Sequence, residues 1–188
     1  AGGLAARRHG HHAPCGSSVG RTSCAGDVGA DGRGTMFEVA QDDLSDGQTR
    51  ALLALHLAGM HASSPPGSVF ALDLSGLRAP GVTVWTARRG GRVASVGALR
   101  MATDGWAEVK SMRTHPDFLR QGAGAAILDT IIAAAAARGA RRLSLETGCG
   151  PAFAPALALY RRRGFVNGPA FGTYLPSEFN QFLHLAIA

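Results

Sequence analysis

Between a strand-like segment and a strongly apolar one stands Arg120-Gln121-Gly122-Ala123-Gly124-Ala125. Glycines at such a junction let backbone N–H groups turn toward an anion, and the start of a helix adds partial positive charge. A phosphate cradle is therefore physically sensible here. It is not a nucleotide P-loop, since no Lys-Ser/Thr follows, nor a dinucleotide fingerprint, since the third glycine is missing. Taken alone, Gly-x-Gly is weak and reads better as a mere tight turn. His9, His11 and His12 lie beside Cys15, but no second ligand pair follows at zinc spacing, so no metal site is expected. Cys149 has no His-Asp pattern around it and is not read as a nucleophile.

The elements that must hold the cradle are punctuated regularly from Met36 onward. Phe37 to Ala40 is a short strand candidate. Asp43 or Ser45 caps a helix reaching about His61, with Leu44, Leu52, Leu53, Leu55 and Leu57 as its apolar surface. Ser63-Ser64-Pro65-Pro66-Gly67 is a rigid loop, and a short helix is expected over Val69 to Leu77. Val82 to Ala87 and Arg92 to Met101 form a hairpin around Arg89-Gly90-Gly91. Trp106 to Thr114 is the next strand, stopped by Pro116. Gly122 to Arg138 is the clearest helix, because Ile127, Leu128, Ile131, Ile132 and Ala135 fall at helical spacing and Gly139 sits where a C-cap belongs. Leu143 to Glu146 is a strand. Pro155 opens a helix to Arg163, whose three arginines complement its dipole and which Gly164 ends. Phe165-Val166 and Phe182 to Ile187 complete a mixed α/β fold layered around one sheet.

Composition bounds the function. The chain has 188 residues, 46% apolar and 17% charged, which suits one globular domain. Residues 1–35 hold nine glycines and almost no large apolar side chains, so they are expected to form a poorly ordered extension, with Met36 as the natural start. The longest apolar stretch, Ala123 to Ala137, is broken by Asp129 and Thr130 and is too short to cross a bilayer. Neither a membrane partner nor a secretory leader is expected. The +6 charge is almost all arginine, with Lys110 the single lysine, and it is scattered among few aromatics, so no nucleic-acid partner is expected. Three cysteines are too few and too dispersed for a disulfide framework, and a reducing cytoplasm fits them.

From Glu108 to Phe165 the order of features becomes specific: strand, proline link, Gly-x-Gly turn, helix, then Leu159-Tyr160-Arg161-Arg162-Arg163-Gly164-Phe165. This run resembles the GNAT (GCN5-related N-acetyltransferase) superfamily, and the likeness extends over about residues 37 to 187. The resemblance implies a mostly antiparallel, twisted central sheet flanked by helices, with acetyl-CoA as co-substrate and no metal. It implies that Met112, Arg113 and Thr114 offer backbone groups to the pantetheine arm and acetyl carbonyl. Arg120, Gln121, Gly122, Ala123, Gly124 and Ala125 would surround the pyrophosphate. Two positions depart from the pattern: Leu119 stands where the family often has Arg or Gln, and Phe153 where it often has Asn.

The same resemblance makes Glu108 a candidate general base, since an alkylammonium near pKa ~10 has no lone pair for attack. The alternative is a strand-edge carboxylate paired with an arginine. Glu146 is a second base candidate. Tyr160 is the candidate acid for the leaving thiolate, or else core packing with its hydroxyl at the rim. His56, Met60, Ser63, Ser64 and Tyr174 fall where the acceptor would sit, although His56 and His61 also read as ordinary helix residues. The expected activity is N-acetyl transfer to a small-molecule amine, with a peptide amine as runner-up and a homodimer left open. A non-catalytic acyl-CoA sensor on the same fold is the alternative.

Overall fold

The computed structural model describes residues 37–187. The reading of residues 1–35 as an extension lies outside the described residues. Seven strands form one sheet in the order β1-β2-β3-β4-β5-β7-β6. They are β1 (Glu38–Asp42), β2 (Val82–Arg89), β3 (Arg92–Met101), β4 (Trp106–Thr114), β5 (Arg142–Gly148), β6 (Val166–Gly168) and β7 (Asn180–Ala186). Every pairing is antiparallel except β4 with β5. The expected mixed α/β architecture is present, with a mostly antiparallel sheet and helices against it.

The helices are α1 (Gly47–Ser63), α2 (Leu74–Leu77), α3 (Ala123–Ala137) and α4 (Ala154–Arg162). Strand residues alternate between the two faces. Val84, Val96 and Ala98 meet Leu52 and Leu53 of α1 and Leu77 of α2 on one face. Trp85, Leu99 and Val109 meet Ile127, Leu128 and Ile131 of α3 on the other. The helix α1 begins later than the sequence suggests: Asp46, rather than Asp43 or Ser45, caps it by accepting from the Gln48 N–H. The helix expected over Val69 to Leu77 is confined to Leu74–Leu77, where the Asp73 carboxylate accepts from the Gly76 N–H. The segment before it is irregular, and there the Phe70 carbonyl accepts from Lys110 Nζ at 2.8 Å.

One irregularity in β4 decides which side chains share a face. Ala98 pairs with Lys110 and Val96 with Arg113, so two β4 residues oppose the single Gly97. That is a β-bulge. Ser111 within it has φ +53°, a left-handed conformation that is uncommon for a residue with a side chain. The extra residue reverses the alternation. Val109 and Met112 both face α3, and Lys110 and Arg113 both face the α1 side, where the Arg113 guanidinium lies against Gly59.

Candidate active site

The parallel pairing of β4 with β5 covers only Trp106–Glu108 against Arg142–Ser144. Beyond it the strands part, although β4 continues to Thr114 and β5 to Gly148. A cavity of about 310 Å³ fills the gap. Its walls are Val109 to Arg113 of β4 and Leu145 to Thr147 of β5, with His56, Gly59, Met60 and Ser63 of α1. Phe70 and Ala71 close it from the loop after α1, and Ala152, Phe153, Ala156 and Tyr160 from the α4 side. Parted strands leave β4 backbone groups without sheet partners along this edge, which a ligand can use.

The end of β4 leads directly to the glycine turn. Gly124 comes so close to Thr114 that a Cβ there would stand 2.9 Å from the Thr114 Oγ1. Gly122 has φ +93°, which only glycine adopts freely, and a Cβ placed on it would meet nothing within 4 Å. No side chain caps α3, so its first-turn N–H groups face open space. Arg120 is exposed beside them. Ala123 is buried as the first residue of α3, and Gln121 is held by Arg89 and by donating to the Asp117 carbonyl at 2.8 Å. In shape and dipole the turn suits an anion, and it continues the open edge of β4.

The two candidate carboxylates occupy different environments. Glu108 is fully buried and does not line the cavity. Arg100 donates to its Oε2 through Nε at 2.9 Å and Nη2 at 2.5 Å. Its Oε1 accepts from the Tyr174 hydroxyl and lies 3.3 Å from Lys110 Nζ. The Lys110 ammonium also donates to the Tyr174 oxygen at 2.6 Å. Both oxygens of Glu108 are thus engaged, which is the arginine-paired alternative noted from the sequence. Glu146 does line the cavity. Burial pushes its carboxyl up to about 7, with the Glu108 charge adding to the rise and Lys110 opposing it.

Tyr160 is buried against Phe165 and also reaches the cavity wall. Burial raises its phenol further above the ordinary value, so it stays protonated at neutral pH. His56 is held neutral: burial, then the positive charges of Arg113 and Lys110, bring its imidazole down to about 4. Met60 and Ser63 join it on the wall, whereas Ser64 does not, and the Ser64 hydroxyl is buried without a partner. Tyr174 belongs to the buried Lys110–Glu108 network and does not line the cavity.

Residue typing alone missed Lys110 and Arg100. A signal for the first existed: it is the chain's only lysine, and it stands two strand positions after Glu108, hence on the same face. Phe153, the position lacking the family's usual Asn, is a cavity wall. Cys149 is exposed at the end of β5, and the described residues contain no cluster of three or more metal-ligating side chains. No helix among them is long and apolar enough to cross a membrane.

A splayed parallel strand pair ending on an uncapped helix, with a carboxylate and a phenol in the gap, makes a long ligand site with a polar, anion-compatible end. The chain belongs to the acetyltransferase (GNAT) family, whose profile matches residues 49–165. It is 41% identical over 152 residues to the uncharacterized N-acetyltransferase YedL of Escherichia coli, covering 81% of this chain and 96% of that protein. A crystal structure from Klebsiella pneumoniae superposes with a TM-score of 0.70 at 27% identity, covering 81% of this chain and 99% of that one. A GNAT acetyltransferase from Elizabethkingia anophelis, solved with acetyl-CoA bound, shares the fold at a TM-score of 0.60 and 16% identity, over 82% and 100% of the two chains.

Proposed function

We propose that the protein transfers the acetyl group of acetyl-CoA directly to the amine of a small-molecule acceptor. The observation that carries the reading is the gap between β4 and β5, which runs from the anion cradle to a cavity holding Glu146 and Tyr160. Arg120 and the backbone N–H groups of Gly122, Ala123, Gly124 and Ala125 would hold the pyrophosphate, with Gln121 shaping the turn. The free backbone of Met112, Arg113 and Thr114 would pair with the pantetheine arm. Bound there, acetyl-CoA supplies the activated acetyl group.

Glu146, poised near neutrality, takes a proton from the acceptor's ammonium and frees its lone pair to attack the thioester carbonyl. A backbone N–H near Met112 meets the charge developing on the carbonyl oxygen. Tyr160 gives its phenolic proton to the departing thiolate and regains one from the acylated nitrogen, which sheds its extra proton as the intermediate collapses, while Glu146 releases its own proton to solvent. Glu108 fixes Lys110, and both charges tune Glu146 from behind. The test is release of CoA thiol from acetyl-CoA in the presence of an amine panel. Amine-dependent release with a matching N-acetyl product supports the reading. Tight acetyl-CoA binding with no turnover on any amine overturns it in favour of a sensor.

A further inference from the structure

The cavity contains a cation without a counter-ion. Arg113 reaches its wall, and the Arg113 Nε is buried with no hydrogen-bond partner. The neighbouring carboxylates do not answer it: Glu108 is saturated by Arg100, Tyr174 and Lys110, and no ion pair joins Arg113 to any described acid. Ser111, in the same wall, has a buried hydroxyl that is also unpartnered. A buried guanidinium N–H and a buried hydroxyl left unsatisfied are costly, and such groups are normally completed by a ligand or by solvent. The bulge that turns Arg113 toward the α1 side holds Ser111 at positive φ, a conformation that persists only where its surroundings enforce it.

We propose that the acceptor is an amino acid whose carboxylate is held by the Arg113 guanidinium and the Ser111 hydroxyl. This rests on the acetyl-transfer reading and gives it a substrate class. A planar fork of N–H donors matches a carboxylate in charge and shape. A phosphate ester fits less well, because its second negative charge would share the cavity with Glu146, with Glu108 buried behind it and no second free cation on the wall. The cavity, at about 310 Å³, is at the small end of ligand sites, and Met60, Phe70, Leu145 and Phe153 give it apolar surface for a side chain. Arg113 is on this account an acceptor-binding residue through its side chain, while its backbone remains available to the pantetheine arm.

The test compares the twenty L-amino acids with their amides, with decarboxylated amines such as phenethylamine, and with phosphoethanolamine, scored by thiol release. Amino acids should exceed their amides and decarboxylated partners in kcat/KM by about 10- to 100-fold, the scale of a charge-assisted hydrogen-bonded pair. Arg113→Met should raise KM for the amino acid by a similar factor, so that the advantage of the amino acid over its decarboxylated amine disappears. A binding arm needs no turnover: with CoA in place of acetyl-CoA, the best amino acid should raise the thermal midpoint of the wild type but not of Arg113→Met. Amides or decarboxylated amines as good as amino acids, or phosphoethanolamine better, overturn the inference while leaving acetyl transfer standing. No turnover on any amine, together with a midpoint shift by an amino acid that Arg113→Met abolishes, overturns the transfer reading and retains the carboxylate site. No turnover and no shift overturn both.

Discussion

Replacing Glu146 by glutamine keeps the size and hydrogen-bonding reach of the side chain and removes its ability to take a proton. With the wild-type carboxyl at about 7, it is about half ionised at pH 7. The ionised fraction then rises about tenfold between pH 6 and pH 8, and kcat/KM should follow it up an acidic limb. Glu146→Gln should lower turnover by about 10²- to 10⁴-fold, the usual range for a general base. The remaining activity should follow the acceptor's own ionisation, so the limb should move up toward the pKa of the free amine, near ~10 for an alkylamine. A second readout is stability. The folded carboxyl lies above its ordinary 4.5, so between pH 4.5 and about 7 the native state holds a proton that the unfolded chain has released. This contribution is fully present below pH 4.5, falls away as pH rises through about 7, and is absent above. The difference in thermal midpoint between wild type and Glu146→Gln should therefore change across that window and level off at higher pH. Stopped assays of thiol release across pH, with melting curves on the same samples, measure both. Full turnover in Glu146→Gln with the limb unmoved would refute the assignment.

Glu108→Gln should act differently from loss of a base: it leaves Lys110 in a buried setting without its anion, at a cost of about 3–5 kcal/mol in chemical unfolding. In the folded fraction the acidic limb should shift below about 7 rather than vanish, because the negative charge that raises Glu146 is gone; disappearance of the limb would return the base role to Glu108. Tyr160→Phe retains ring packing against Phe165, so the midpoint and acetyl-CoA binding should hold while kcat falls roughly 10²-fold, and an unchanged kcat would leave the tyrosine a packing residue. Gly122→Asp places a carboxylate at φ +93° in the cradle, so calorimetric titration should show acetyl-CoA affinity reduced at least tenfold in a protein that still melts cooperatively. Unchanged affinity would put the pyrophosphate elsewhere.

The hairpin β2–β3, the strand β4 and the helix α3 are legible in the chain because each carries its own periodicity and stop signal, down to Gly139 after α3. The segment before α2 is not, since its irregular course includes a contact between the Phe70 carbonyl and Lys110, far along the sequence. The cradle is visible as Arg120 to Ala125, and both candidate carboxylates as residue types. Which of them meets the cavity is invisible, because it depends on where β4 and β5 stop pairing, and no local pattern marks the last paired residues, Glu108 and Ser144. Glu108 lies inside the paired stretch and is sealed, whereas Glu146 lies just past it and is half-buried with solvent on one side.

The bulge at Ser111 shows the same limit more sharply. In an unbroken strand Lys110 and Arg113 would point to opposite faces, one toward α1 and one toward α3. A guanidinium on the α3 face would meet Ile127, which already crowds Gly97 there together with Met112. One inserted residue moves Arg113 out of that apolar contact and places it across from Gly59, while Met112 takes the packed position. Serine is not a residue that advertises positive φ, so the sequence carries no mark of this reversal. Packing on the α3 face and charge on the α1 face are thus satisfied by a single backbone irregularity. The same irregularity leaves Arg113 Nε and the Ser111 hydroxyl without partners in the protein itself, which is what a site arranged for an incoming anion requires.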